Sequence, residues 1–181
     1  MSHDAVPHGR TSFVAALAAA KLGATYNQYA SSPLLRRRLR DYLDARASAP
    51  ILLVGEAAGW RGARVSGLPF TSERQLTGSG PAEASATIVQ RTLAELGAVE
   101  RILVWNLVPT HPHLPGEPRS NRPPSTAEID AAAGFLSQLL AGRRVLVVGR
   151  LAHERLGGTY IRHPSHGGAA EFRAGLAAAL A

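Results

Sequence analysis

Hydrophobic and polar residues follow two spacings along this chain, and their succession predicts alternating helices and strands. Short apolar runs bounded by glycine or proline predict buried strands, here at residues 50–55, 101–106, 144–149 and 159–163. Stretches in which apolar residues recur every three or four positions predict helices at residues 11–23, 31–47, 82–97, 125–142, 150–157 and 169–181. A long loop is expected from residue 56 to about residue 80.

This order of elements predicts an α/β fold, a three-layer α/β/α sandwich around a short, mainly parallel four-stranded sheet. The length suits a single domain over residues 1–181, with a helical N-terminal segment at 10–46 and a motif-bearing core at 50–175. Ligands of such sheets bind beyond the carboxyl ends of the strands. Three polar segments begin at these ends and should meet at one rim: GEAAG from residue 55, NLVPTHPH from 106 and HPSHGG from 163.

Charge adds a candidate partner to this picture. The chain has 20 Lys+Arg against 13 Asp+Glu, a net charge of +7, and Lys21 is its only lysine. Arginine forks bind phosphate in a bidentate manner, which favours nucleic acid as a partner; the alternative is an arginine-rich genome. The arginines of residues 36–40 form either a solvated face or a stripe that binds phosphate.

Composition also excludes several classes of site. The chain has no cysteine, which excludes disulfides, iron–sulfur clusters and thiol nucleophiles. No apolar run approaches the roughly 20 residues of a membrane-spanning helix, and residues 1–10 lack the cationic start and apolar stretch of a secretory signal. We therefore expect a cytoplasmic, nucleoid-associated monomer that contacts no membrane.

Two side chains stand out in the first polar segment and the loop after it. Glu56 follows a buried strand directly, where a carboxylate either caps the backbone, pairs with Arg61 or Arg64, or serves a site. Phe70 is an aromatic residue in a polar loop. It either plugs the core or offers its ring for a flat ligand to stack on.

Two more candidates end strands directly. Asn106 carries an amide whose acceptor and donors could read the edge of a nucleobase, unless it only closes a turn. His163 precedes a proline and a serine, so its imidazole is held rigidly. It could donate a hydrogen bond to charge developing on a substrate, or it could be a structural histidine.

Metal and nucleophile sites are less well supported. The pairs His111/His113 and His163/His166 have ligand-like spacing, but no obvious carboxylate or thiolate set accompanies them. Ser165 lies between histidines that form no recognisable nucleophile elbow. We expect neither a metal nor another cofactor.

Together the three segments resemble motifs of the uracil-DNA glycosylase superfamily. GEAAG followed by GLPFT is similar to the GEAPG…G-x-PF region of its iron–sulfur branch. WNLVP…SNRPPSTAEI resembles that branch's strand-end asparagine and the downstream Asn-Arg-Pro segment, and RHPSHGGAAEF resembles the His-Pro-Ser motif. The resemblance spans roughly residues 50–175, and its strength lies in three motifs that follow one another in order at strand ends.

The resemblance implies an enzyme of base-excision repair that flips uracil out of DNA and hydrolyses its N-glycosidic bond. Phe70 would stack on the flipped uracil, and Asn106 would hydrogen-bond its edge. His163 would stabilise negative charge on the uracil O2 as the base departs. Backbone amides near Gly55 and Ala57 would complete the pocket.

Contacts with the DNA backbone and minor groove are implied for a second set of residues. The partner would be DNA that contains uracil, held without sequence readout by the arginine surplus. The loop after His163 would press into the minor groove, and Arg122 of the NRPP segment would contact DNA. The implied DNA-binding residues are Arg122, Pro164, Ser165, His166, Gly167 and Gly168.

This chain departs from the superfamily's motifs at informative places. The four cysteines of the iron–sulfur branch are absent. The GQDPYH branch has a catalytic aspartate where this chain has Ala57. Water activation therefore falls to Glu56, to backbone groups or to a weakly assisted dissociative route, and of these we favour Glu56. That branch excludes thymine with a tyrosine at the place of Gly59, which leaves thymine exclusion here without an assigned residue.

Two alternatives to the enzyme remain. One is a non-catalytic or covalent binder of uracil-containing DNA, since another branch attaches a loop histidine to the abasic sugar and His111 or His113 could reach the site. The other is an unrelated α/β hydrolase that acts on a small nucleotide. The sequence does not give the range of bases or the strand preference.

Overall fold

The computed structural model describes residues 8–181, in which eight helices and four strands follow one another. The strands are β1 (Ile51–Ala57), β2 (Ile102–Val108), β3 (Arg144–Val148) and β4 (Thr159–Ile161). The helices are α1 (His8–Ala19), α2 (Pro33–Ala45), α3 (Ala63–Ser66), α4 (Glu73–Thr77), α5 (Ala84–Glu95), α6 (Thr126–Leu140), α7 (Arg150–Leu156) and α8 (Ala169–Leu180). Residues 1–7, most of the segment considered for a secretory signal, lie outside the described part.

The four strands form one parallel sheet in the order β2-β1-β3-β4. The chain moves from β1 to β2 on one side and then crosses over to β3 on the other side. This reversal creates a crevice at the carboxyl ends of the central strands, where ligands of such sheets bind. The register places Gly55 of β1 beside Asn106 of β2, so the ends of two predicted segments are direct neighbours.

Helices cover both faces of the sheet, which confirms the three-layer sandwich. One face packs Leu52, Val54 and Trp105 against residues of α1, α2 and α6, with Leu39 and Leu136 among them. The other face packs sheet residues against α5 and α8: Leu53, Val104 and Leu146 meet Val89, Leu93, Phe172 and Leu176. Every residue of β2 is buried, as expected for a strand covered on both sides.

Local signals account for the ends of two helices. Helix α2 begins after Ser32, whose side chain accepts from the Leu35 amide, and Pro33 is its first residue. The capping box at the start of α6 is present in full, with Ser125 and Glu128 each bonded to the other's backbone.

Two expectations about the elements need correction. Strands β1 and β2 each run two residues further than predicted, to Ala57 and Val108, so Asn106 lies within β2 rather than at its end. Strand β4 ends at Ile161, two residues before His163, because Pro164 and the turn after it stop the ladder. The long loop after β1 contains α3 and α4, which are four and five residues long. Helices of that length hold too few apolar positions to show a helical period in the sequence.

The arginine stripe of α2 is in part a structural feature. Arg38 donates to both carboxylate oxygens of Glu73, at 2.7 and 3.0 Å, and Arg36 donates to the Tyr29 carbonyl. These two guanidiniums therefore bind within the protein. Within residues 8–181 no helix combines the length and apolar character that crossing a bilayer requires.

Candidate active site

A cleft of about 760 Å³ opens at the carboxyl ends of the strands. Residues of all three polar segments line it, as the placement of these segments predicted, and so does the aromatic residue of the loop after β1. The predicted residues along its wall are Glu56, Ala57, Phe70, Asn106, Arg122, His163, Ser165 and His166.

Gly55 lies where the side chains of Phe70 and Asn106 meet. A Cβ atom added to Gly55 would lie 2.5 Å from Cζ of Phe70 and 2.8 Å from Oδ1 of Asn106. Both distances are shorter than van der Waals contact, so only glycine fits here. The absence of a side chain at Gly55 allows an aromatic ring and an amide to sit next to each other at the end of the sheet.

Asn106 is a polar residue in an apolar strand and has an unpaired acceptor. It is only 2% exposed, and its Oδ1 is buried with no hydrogen-bond partner within residues 8–181. Its neighbours Trp105 and Leu107 are fully buried. A buried amide oxygen without a partner carries a desolvation cost, which a ligand in the cleft could offset by donating to it.

The turn that carries Phe70 is held on several sides. Phe70 itself has a positive φ of 45°, a conformation that is strained for a bulky residue. Gln90 of α5 donates to the Phe70 carbonyl at 3.0 Å, and the hydroxyl of Ser66 donates to the Thr71 carbonyl at 2.6 Å. The Phe70 ring centroid lies 6.2 Å from that of His163, with the rings tilted by 45°, so these two side chains lie close together on the cleft wall.

Hydrogen bonds fix the tautomer of His163. The Ser165 amide donates to its Nδ1 at 3.1 Å, so in the neutral ring the proton is on Nε2. Burial, followed by the charges of Arg162 and His166, holds the pKa of His163 below its ordinary 6.5. A neutral imidazole that donates through Nε2 therefore stands in the cleft at neutral pH.

The loop after His163 is compact, and only part of it can face DNA. Pro164 and Gly168 are buried, Ser165 is half-buried, and His166 and Gly167 are exposed. A Cβ at Gly168 would lie 3.1 Å from the Ser165 carbonyl oxygen. The minor-groove prediction thus narrows to His166 and Gly167, since Pro164 and Gly168 instead hold the loop closed.

Glu56 is half-buried on the cleft wall and makes no salt bridge within residues 8–181. Neither of the arginines considered as its partner pairs with it. The Arg61 guanidinium lies over the Trp60 ring at 4.6 Å, and the Arg64 guanidinium over the Tyr26 ring at 4.9 Å. Burial raises the pKa of the Glu56 carboxyl above its ordinary 4.5.

Arg122 lines the cleft and is bound within the protein. Its guanidinium donates to both oxygens of Glu128, at 2.6 and 2.8 Å, and to the carbonyls of His113 and Pro123. These bonds hold the loop before α6 in place, and the contact of Arg122 with DNA stays a prediction. The adjacent Asn121 accepts from the Trp60 amide at 3.0 Å and ties this loop to the loop after β1.

His111 and His113 lie behind the cleft wall, where they bond to the wall residues Ala58 and Arg122. His111 is fully buried, and its Nδ1–H donates to the Ala58 carbonyl at 2.8 Å. The ring of His113 stacks on that of His111. Neither residue lines the cleft, so the structure gives no support to covalent capture by either. No group of three or more metal-ligating side chains is found between residues 8 and 181.

Sequence reasoning missed several residues of the cleft. Glu83, just before α5, places its carboxylate in the cleft wall, and Arg150, Glu154, Tyr160 and Arg162 line the end near α7. Tyr160 is 41% exposed. No local signal marks Glu83 in the sequence, because it reaches the cleft only through the packing of α5. Tyr160 could have been predicted to line the cleft, because it is an aromatic residue of the strand that leads to His163.

Comparison with known proteins identifies the family and agrees with the fold. A family model described as the Uracil DNA glycosylase superfamily matches residues 41–177. A solved structure described as the crystal structure of wild-type Pedobacter heparinus SMUG2 is similar over 94% of this chain and 96% of that chain. Its TM-score is 0.69 and 13% of residues are identical, so this likeness concerns the fold. The search of curated proteins gave no match.

Proposed function

Because this chain belongs to the uracil-DNA glycosylase superfamily, we propose that it is a monofunctional uracil-DNA glycosylase. It would flip uracil out of DNA and hydrolyse the N-glycosidic bond, leaving an abasic site. Members of the superfamily are DNA glycosylases, which are hydrolases, and act on DNA. The base to be removed is hidden inside the duplex, so it must first leave the stack at a cost of roughly a few kcal/mol.

The observation that carries this proposal is the pairing of Phe70 and Asn106 over Gly55. A Cβ at Gly55 would collide with both side chains, so the ring face and the amide are neighbours. A flat base that stacks on Phe70 would present its edge to Asn106. Uracil offers an N3–H donor beside the O4 acceptor, which match the Asn106 oxygen and amino group. The oxygen that has no partner within the described residues would then receive one.

His163 would act on the departing base. As the glycosidic bond breaks, uracil takes the electron pair and negative charge builds on O2, while the sugar becomes cationic. The Nε2–H of a neutral His163 would donate to O2, and the Ser165 amide on Nδ1 supports this tautomer. A positioned donor of this kind contributes roughly 10²–10³-fold to kcat.

Glu56 would position and deprotonate the attacking water. In its ionised form it can accept the proton as the water oxygen bonds to the sugar carbon left by uracil. The residue lines the cleft and its carboxylate makes no competing salt bridge within residues 8–181. Burial moves the pKa of this carboxyl toward neutral pH. A general base transfers protons most effectively when its pKa lies near the pH at which the enzyme works.

A strand-cleavage assay tests this proposal. Labelled duplexes with one uracil, or with thymine at the same place, are incubated with the protein in EDTA and then heated in alkali to break abasic sites. We expect cleavage at uracil alone, about 10²–10³-fold slower in His163→Ala. Asn106→Asp should slow uracil release and shift preference toward cytosine. His153→Ala is the matched control, since His153 is exposed and does not line the cleft.

Two outcomes would count against the proposal. If folded His163→Ala and Asn106→Asp both release uracil at the wild-type rate, the assigned site is wrong. If wild-type protein gives no cleavage but binds the uracil strand, covalently or not, the protein is a binder rather than an enzyme.

A further inference from the structure

The carboxylate of Glu83 occupies space that two glycines leave open. A Cβ at Gly59 would lie 2.8 Å from Cδ of Glu83, and one at Gly62 would lie 3.0 Å from the same atom. In both cases a carboxylate oxygen would be closer still. Residues 59–62 turn tightly, with the Gly62 amide donating to the Gly59 carbonyl at 3.2 Å. Gly59 and Glu83 both line the cleft, and the Glu83 carboxylate occupies the space that a side chain at Gly59 would take.

The position of Glu83 is fixed by its backbone rather than by a partner for its charge. Its amide donates to the Ser72 hydroxyl at 2.8 Å, and it is the residue before the first turn of α5. Its side chain does not cap that helix. Burial alone raises the pKa of its carboxyl, with no charged neighbour offsetting the effect. Glu83 is thus a half-buried carboxylate on the cleft wall that has no cationic partner among residues 8–181, so its oxygens are free to face a ligand.

The ring of the base determines what Glu83 would face. C2, which bears O2, and C5 lie at opposite corners of uracil. If O2 is turned to His163, after β4, then C5 points away from that end of the cleft. Glu83 lies beside the loop after β1 and immediately precedes α5, the helix that leads into β2. Strand β2 is at the opposite edge of the sheet from β4. Asn106 would hydrogen-bond N3–H and O4, the groups that lie between O2 and C5 along the edge of the base.

We propose that Glu83 is the residue that discriminates uracil from thymine, by closing the cleft against a substituent on C5. This inference rests on the proposed function and names what selects its substrate. The C5–H of uracil can lie against a carboxylate oxygen as a weak donor. The methyl group of thymine would collide with the Glu83 carboxylate oxygen, or would push this oxygen to a position where it is less well solvated. One methyl group in a fitted pocket is worth roughly 10–200-fold in discrimination.

The test compares release of uracil and thymine by Glu83→Ser, from duplexes in which either base is opposite guanine. Serine is short and is itself favoured before the first turn of a helix, so the variant should fold. We expect thymine release relative to uracil to rise at least about tenfold. Glu83→Gln keeps the shape and should keep the preference. Glu171→Ala, which removes an exposed carboxylate that does not line the cleft, should leave the preference unchanged.

Binding of the free bases provides a readout that needs no turnover. Titrations of uracil and thymine, followed by NMR, should show weaker thymine binding to wild-type protein and similar binding of both to Glu83→Ser. If wild-type protein releases no uracil but still shows this pattern, the proposed function fails and the role of Glu83 stands.

Three results would overturn the inference. One is slower release of both bases by Glu83→Ser with an unchanged ratio, which would make Glu83 catalytic or structural. Another is loss of the preference in Glu83→Gln, which would make charge rather than shape the cause. The third is equal binding, or no binding, of the two free bases by wild-type protein.

Discussion

At the scale of single residues, backbone strain coincides with the candidate site. Among residues 8–181 the non-glycine residues with positive φ are Phe70 and His166, at 45° and 52°. Such conformations cost roughly 1–3 kcal/mol each and persist only where the surroundings impose them. One of these residues would stack on the base, and the other stands at the exposed tip of the loop expected in the minor groove. The two strained residues are therefore ones whose side chains would have to point at the base or at the minor groove.

Glu56 gives a prediction for the dependence of uracil release on pH. Its carboxyl must be ionised to accept a proton, and its pKa is raised above 4.5 by burial. His163 must be neutral for its Nδ1 to accept from the Ser165 amide, which orients the ring, and its pKa is lowered below 6.5. Both groups gain a proton as the pH falls, so the single-turnover rate should decline in acid with a slope approaching two protons. Glu56→Gln should lower the rate at pH 7 by roughly 10²–10⁴-fold and reduce that slope to one.

Single-turnover rates measured from pH 4.5 to pH 8 in both proteins would check this. A Glu56→Gln variant that keeps the wild-type rate and the two-proton slope would remove Glu56 from the mechanism. Glu171→Gln, on α8 and not on the cleft wall, is the control for a general effect of removing a carboxylate.

At the scale of elements, one buried ion pair joins the N-terminal helices to the loop before α6. Glu128 accepts from both ends of the Arg122 guanidinium and from the amides of Ser125 and Ala24. A Cβ at Gly23 would lie 2.6 Å from Cγ of Glu128, so the chain after α1 turns directly over this side chain. We call this Arg122–Glu128 pair, with the Ser125 and Ala24 amides, the clamp. It holds the loop that brings Asn121 and Arg122 to the cleft.

This clamp predicts loss of stability in acid. The bonds from Arg122 hold the pKa of Glu128 at about 2, below the ordinary 4.5. Its stabilising contribution is therefore fully present above about pH 4.5 and is lost as the pH falls through about 2. A depression of that size corresponds to about 3 kcal/mol. Urea unfolding at pH 7 should show Glu128→Gln less stable by about that amount, with a smaller difference at pH 3.

A surface ion pair provides the matched control. Glu95 pairs with Arg91 and Arg173 at 3.7 and 3.0 Å and is more than a third exposed. Removing such a pair costs at most about 1 kcal/mol, so Glu95→Gln should change stability little at either pH. Equal losses in Glu95→Gln and Glu128→Gln would show that the Arg122–Glu128 pair has no special role.

The elements also show what the sequence could and could not predict. The strands, the long helices and the capping box of α6 follow from residues that are neighbours along the chain, and these predictions are confirmed apart from strand ends that differ by up to two residues. So is the prediction that three strand ends meet, because topology alone requires it. The short helices α3 and α4, the wall formed by Glu83, and the clamp on Arg122 depend on contacts between distant segments. Nothing in the local pattern distinguishes Arg122 in an internal ion pair from Arg122 on a phosphate.

At the scale of the whole molecule, the net charge of +7 predicts binding to DNA that weakens with salt. Each phosphate neutralised contributes a slope of about −0.9 to log K against log salt concentration. Arg150 and Arg162 are exposed and line the cleft, so they are suited to phosphates beside the flipped base. We expect Arg162→Ala to reduce the slope by about 1, measured by fluorescence anisotropy with a uracil-containing duplex.

Arg91→Ala is the comparison for this measurement, because Arg91 is exposed on α5, pairs with Glu95 and does not line the cleft. Its slope should equal that of the wild-type protein. Equal slopes for the Arg162 and Arg91 variants would mean that charge acts diffusely over the surface rather than at the cleft.

The two glycines opposite Glu83 have a consequence for the history of this fold. A side chain at position 59 or 62 and a glutamate at position 83 would compete for one volume, as the distances from Gly59 and Gly62 require. Mutational paths that keep the Glu83 carboxylate in its present place must therefore keep glycine at positions 59 and 62. In an alignment of many relatives, positions 59, 62 and 83 should covary although they lie on different elements. In a lineage with a bulky residue at position 59, we expect that the glutamate at position 83 was first replaced by a residue with a smaller side chain.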